Sequence, residues 1–396
     1  MTERTLATAP ISEAVNRLTL LRALFSAHEG TQDSAALERV TVDDVRWLVN
    51  QGLASYVYLK LRDTPLGARL SPEAQAALRT AYSADALREA LQHQEAAATV
   101  LSALREAGVE TVLMKGMALA STVYPNARSR PKGDLDLWIQ PEQRLEAIAA
   151  LERVGYQRRD KETRPVAWRL LYGGEQQMVS DRPGSGLVEL QWPAIRNEWI
   201  RQTTRVEHGD IWRRRQPILV EGQPTHVMAL EDMLIHVCVH HAINHQFGGP
   251  WLRAFLDVHL MAQKEIDWEA VVERARHWRL ATVTWIILEL AVALLNTPVP
   301  TDALSALAPS PLRRRAIRWL RLDEATLEMW PSGLRHRRFI IQLLLVDHPQ
   351  GALRLLWGAI FPDSEWLRAR YGTQSAGALW RARLLHSLRV LFTSEA

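Results

Sequence analysis

Asp134 and Asp136 stand two apart in an otherwise apolar run with Leu135, Leu137, Trp138 and Ile139. Successive side chains of an extended chain point to opposite faces. Both carboxylates therefore share one face, and Leu135, Leu137 and Ile139 share the other. Aspartate suits a pleated strand poorly, and two on one face repel unless a cation sits between them. Hard divalent ions favour such oxygen clusters, and Mg²⁺ commonly joins one or two carboxylates to substrate phosphates. The plain alternative is a pair of acids capping a surface strand beside the Lys132-Gly133 turn.

Other segments add to the chemical reading. Val112-Leu113-Met114 reads as a short buried strand ended by Lys115-Gly116, and Met117 to Tyr124 as a short helix. Strand, glycine turn and helix together present backbone N–H groups that suit phosphate. Gly116 permits close backbone approach, and Lys115 adds a point charge. The spacing is not that of a Walker P-loop. Arg130, just ahead of the acidic pair, carries a fork able to grip a triphosphate bidentately. Only five lysines occur, Lys60, Lys115, Lys132, Lys161 and Lys264. Lys115 and Lys132 lie in this motif and join Gly116 and Arg130 as expected nucleotide-binding residues. A third acid comes from a hairpin, in which residues 176–179 and 187–192 flank Pro183-Gly184-Ser185-Gly186. Glu189 and Gln191 share one face there, so Glu189 meets the Asp pair across a sheet.

This arrangement resembles the polymerase-beta superfamily of nucleotidyltransferases, with a glycine turn, an Asp-x-Asp strand and a third carboxylate on a later strand. More narrowly, the chain is similar to a poorly characterised bacterial nucleotidyltransferase family. The likeness rests on Leu113 to Gly116, Tyr124-Pro125 and Arg130 through Leu137, with weaker matches at residues 228–236, 251–260, 361–362 and 370–372. The resemblance implies an α+β fold: a small mixed polymerase-beta-like sheet core between N- and C-terminal helical regions. It also implies Mg²⁺ or Mn²⁺ on Asp134, Asp136 and Glu189, which act as metal ligands and catalytic groups. The donor is then an NTP and the acceptor a hydroxyl of a small molecule or peptide. Gly116-Met117 replaces the usual Gly-Ser or Gly-Gly turn, and Glu189 and Gln191 stand where Asp and His are frequent. Those departures keep two alternatives open: a turnover-deficient nucleotide-binding or scaffold protein, and a transferase using a sugar-nucleotide donor.

The elements that must position these groups fall into three regions. Residues 1–107 read as helical, 108–225 as the α/β core and 226–396 as helical again. Ile11 to His28 shows helical apolar spacing. Thr41 is a good N-cap, and Ser71-Pro72-Glu73 is a start signal. The helix after Ser71 is expected to break near Ser83, and Gly108 to stop its continuation. Pro141 to Val154 reads as a helix, residues 156–160 as a short strand, and residues 218–220 with 225–227 as a second hairpin.

Composition sets outer bounds. The 396 residues are 47% hydrophobic and 23% charged with one cysteine, Cys238. That excludes an internal disulfide framework and a Cys-based zinc site, and makes a cytoplasmic location the default. The longest greasy stretch, Trp285 to Leu295, is too short to span a bilayer, so no membrane partner is expected. A net charge of +4 is mild and argues against a nucleic-acid partner.

His236, His240, His241 and His245 form two i,i+4 pairs on one helical segment. On a straight helix the pairs point about 100° apart and cannot share one ion. Core hydrogen bonding, or an acceptor pocket lined by His240 or His241, is the preferred reading. The arginine groups 213–215, 313–315 and 335–338 are read as solvated helix faces.

Overall fold

The computed structural model describes residues 17, 19–22, 24–25, 37–90, 95–159, 174–182, 185–247, 251–319, 335–362, 364–372 and 375–392. Among the described residues there are seven strands. They are β1 (Val112–Leu113), β2 (Asp134–Trp138), β3 (Gln157–Arg159), β4 (Glu175–Val179), β5 (Leu187–Gln191), β6 (Gln216–Val220) and β7 (Gln223–Val227). They form one mixed sheet in the order β3-β4-β5-β2-β1-β7-β6. β2 pairs in parallel with β5, and β1 in parallel with β7; the other neighbours are antiparallel. The fold is α+β, with helices flanking the sheet in sequence on both sides.

The register is what matters for the site. Asp136 lies directly opposite Glu189, and Asp134 opposite Leu187. The same pleat sends Leu135, Leu137, Val188 and Leu190 into the core, where all are buried. Helices Glu95–Glu106 and Arg144–Arg153 pack on each other and reach β7 and β3. One apolar cluster runs from Leu20 to Leu355, through both helical regions and the sheet.

Local signals set several helix ends. Thr41 and Asp44 form a reciprocal capping box, and Ser71 caps a helix with proline at its first position. That helix runs through Ser83 to Arg88 instead of breaking there, because alanine-rich sequence carries it. Most of the expected helix 11–28 and the turn residues Pro183 and Gly184 lie outside the described residues. The helix after β1 begins at Lys115, not Met117. Lys115-Gly116 is thus the first turn of that helix, not a free glycine turn. Lys115 takes the left-handed conformation, φ 47°.

Candidate functional site

Two adjacent parallel strands bring three carboxylates together. One oxygen from each of Asp134, Asp136 and Glu189 lies within 4.8 Å of the others. Asp136 is 1% exposed, Glu189 is buried and Asp134 half-buried. Lys115 Nζ stands 2.5 Å from Asp136 Oδ1 and 3.8 Å from Glu189 Oε2. Gln191 Nε2 donates to the same Asp136 oxygen at 2.7 Å, and Gln177 Nε2 donates to Glu189 Oε1 at 2.5 Å. Arg196 backs this layer by donating to Gln191 Oε1 at 3.3 Å and to Glu175.

The electrostatics separate the two central acids. Burial, with Asp134 and Glu189 nearby, pushes Asp136 up to about 7 against the pull of Lys115. Burial acts on Glu189 in the same direction. Lys115, Arg196 and hydrogen bonds from Asp136 and Gln177 outweigh it and hold Glu189 below the usual range. Two carboxylates that share a site split in this way, the proton affinity of one raised and that of the other lowered. Three hard oxygen donors with surplus negative charge are a donor set that fits a divalent cation.

Arg130 and Lys132 stand elsewhere. The Arg130 guanidinium is buried and spent on Asp257: Nε donates to Oδ1 at 2.8 Å and Nη2 to Oδ2 at 2.7 Å. Tyr124 donates to the same carboxylate at 2.7 Å. Burial alone would weaken the Arg130 cation, but Asp257 raises its pKa overall. Those two nitrogens, expected to grip a triphosphate, are engaged in a complete buried pair with Asp257. Lys132 is likewise engaged away from the carboxylates. Its side chain is fully buried, with Nζ 2.6 Å from Glu89 Oε2 and 3.1 Å from the Ala127 carbonyl. It ties the loop before β2 to the N-terminal helices. Gly116 faces this framework, since a β-carbon there would stand 2.9 Å from Arg130 Nη1.

The histidine segment is not a straight helix. Helix Leu230–Val239 passes into a π turn at His240–Asn244. The wider turn brings His240 and His245, five apart, to 2.9 Å between their Nε2 atoms. His236 and His240 stack, with ring centroids 5.9 Å apart. His241 turns away and packs on Phe247 and Phe255, with burial pulling its pKa down to about 3. It is a buried core residue. Burial and the nearby charge of Lys115 hold the His240 pKa well below its usual value. Among the described residues the carboxylate triad is the one cluster with metal-ligand spacing; the histidines form none.

Sequence reasoning missed Gln177, Arg196 and the Asp257 clamp. Alternation in β4 puts Gln177 on the Glu189 face and was a usable signal for it. The resemblance over residues 251–260 includes Asp257, but nothing local pairs it with Arg130, 127 positions away.

The sequence model of the family described as "uncharacterised nucleotidyltransferase" matches residues 43–296. No curated protein matches the chain. Among solved structures, the solution structure of the antibiotic-resistance factor ANT(2'')-Ia aligns with TM-score 0.32 and 15% identity, over 46% of this chain and 89% of that one. The crystal structure of ANT(2'')-Ia with adenylyl-2''-tobramycin gives 0.31 and 17%, over 45% and 92%. A nucleotidyltransferase-like protein from Paracoccidioides brasiliensis gives 0.34 and 16%, over 54% and 93%. Likeness this distant says nothing about substrate.

Proposed function

The chain belongs to the uncharacterised nucleotidyltransferase family, and we propose that its carboxylate face moves a nucleoside monophosphate from an NTP to a hydroxyl of a small molecule or peptide. The observation that carries this reading is the parallel β2/β5 register, which sets Asp136 opposite Glu189 with Asp134 in the same cluster. Asp134, Asp136 and Glu189 would hold Mg²⁺ or Mn²⁺. When bound, such an ion neutralises phosphate charge and lowers the pKa of an attacking hydroxyl.

The protein's own groups then have separate tasks. Glu189, whose pKa lies below the usual range with Arg196 nearby, accepts the acceptor hydroxyl's proton. The hydroxyl oxygen bonds to the α-phosphorus as the bond to the bridging oxygen breaks, and pyrophosphate leaves with that electron pair. Gln177 and Gln191 fix the carboxylate orientations, so little reorganisation is needed. Lys115 neutralises charge on the triphosphate. His240 and His245 border the acceptor side of the cluster. No covalent nucleophile is required, since positioning and charge stabilisation supply phosphoryl-transfer catalysis. A cytoplasmic setting suits an NTP donor and a single buried thiol. Among the described residues no helix is long and apolar enough to cross a membrane.

Thermal unfolding with each NTP, with and without Mg²⁺, tests the donor and the metal together. Ligand at about 100 times its Kd stabilises by ~2.7 kcal/mol. The expected result is a Mg²⁺-dependent rise that disappears in Asp134→Asn/Asp136→Asn. No rise with any NTP rejects the donor assignment and turns attention to sugar nucleotides or a scaffold role.

A further inference from the structure

We infer that Lys115 is a built-in counter-ion that holds the cation position between Asp136 and Glu189 until a nucleotide draws its ammonium away. This rests on the metal-site reading above and adds an order of events to it. The ammonium lies 2.5 Å from Asp136 Oδ1 and 3.8 Å from Glu189 Oε2, inside the triad proposed to hold the metal. Its side chain is 14% exposed, so little water shares the site with it.

The backbone supplies a second observation. Lys115 sits at φ 47°, in the left-handed region. Glycine adopts this conformation freely, whereas a lysine there is strained. Strained residues of this kind cluster at ligand clamps and switch regions. The strained residue here opens the helix behind β2, and its side chain ends in the carboxylate cluster.

Ammonium and divalent ion exclude each other. Both draw on the Asp136 and Glu189 carboxylates, and two cations in one buried cage repel as two carboxylates do. A metal ion entering alone must therefore draw the ammonium off the carboxylates it rests on. A metal ion entering with a triphosphate brings that anion along. Lysine, a compact charge on a flexible four-carbon stem, can make this swing. The consequence is positive coupling: each of metal and nucleotide binds better in the presence of the other, reciprocally. In the empty protein the same ammonium relieves the repulsion among the three acids.

Mn²⁺ titration of the full chain without nucleotide, followed by the electron paramagnetic resonance of the free ion, tests this directly. Lys115→Met removes the charge at similar length. It should bind Mn²⁺ at least about tenfold tighter than wild type, within the ~5–150-fold span of coupled sites. Its affinity for Mg²⁺-ATP should fall by a similar factor. Lys115→Gly suits the left-handed backbone and repeats the measurement should Lys115→Met not fold. Equal or weaker Mn²⁺ binding by the variants, with wild type still binding, overturns the counter-ion role and leaves the metal site standing. Absence of Mn²⁺ binding by wild type and variants alike overturns the metal site itself.

Discussion

Asp136 and Asp257 are both almost wholly buried, at 1% and 3% exposure, yet their surroundings are opposite. Asp257 receives two guanidinium hydrogen bonds from Arg130 and one from the Tyr124 hydroxyl. Its charge is matched by one cation in a bidentate geometry. Asp136 receives one ammonium and one amide, and shares its space with two further carboxylates. The first cluster is electrostatically closed and clamps the 124–130 segment to helix Trp251–Ala262. The second carries surplus negative charge that folding alone has no use for. A buried acid that is fully answered holds a structure together; one left crowded is positioned for a ligand.

The comparison breaks if mutations in the two clusters behave alike. The largest expected effect is on turnover. Asp136→Asn should lower nucleotidyl transfer by roughly 10³-fold or more, the scale of electrostatic groups at a reacting centre. The same change removes one of three crowded charges, so the melting temperature should hold or rise. Pyrophosphate release and thermal unfolding measured on one preparation check both halves. A variant that unfolds as it loses activity would place Asp136 in the structural class.

Arg130→Ala should do the reverse. It leaves Asp257 buried without its cation, a loss of about 3–5 kcal/mol for a broken buried pair. Urea unfolding should show the drop. Asp257→Asn, which keeps the shape and some hydrogen bonding, should lose less. If Arg130→Ala folds normally and only weakens nucleotide affinity, the guanidinium serves the ligand after all.

A smaller effect sharpens the contrast through pH. Asp136 is pushed up to about 7 by burial and its acidic neighbours. Metal binding must therefore release a proton below that value. Mn²⁺ affinity is expected to be flat above pH 7 and to fall as pH decreases, by up to about tenfold per unit. Arg130, whose pKa Asp257 raises, stays charged throughout, so the clamp contributes nothing to this slope. A profile flat from pH 8 to 5 would remove the crowding argument.

The acidic face was legible in the sequence because a strand has a strict period of two. Asp134 and Asp136 share parity, Glu189 falls on the outward parity of β5, and parallel pairing then brings them together. The same rule found the hairpin of β4 and β5. The partners of Arg130 and Lys132 were not legible. Proximity to the Asp pair in sequence suggested a phosphate role, but Asp257 and Glu89 come from distant helices and only packing reveals them. The histidine geometry was missed for another reason. Sequence spacing implies a straight helix, and a π turn changes which residues face each other.

The smallest prediction lies where the two clusters touch. Gly116 follows Lys115 in the helix and faces Arg130, so it belongs to both regions. Alanine in a helix interior is ordinarily better than glycine by roughly 0.5–1 kcal/mol. Here its β-carbon would stand 2.9 Å from Arg130 Nη1, closer than real contacts allow. The end of an arginine usually moves aside without difficulty, but this one is held by two bonds to Asp257. Gly116→Ala should therefore destabilise the protein, by about 1–2 kcal/mol as overpacking does. In an Arg130→Ala background the obstacle is gone, and the same change should turn stabilising. That reversal of sign, read from a double-mutant cycle in urea, isolates the contact from the general cost of losing the clamp. If Gly116→Ala destabilises equally in both backgrounds, Arg130 is not the rigid wall that its pairing with Asp257 implies.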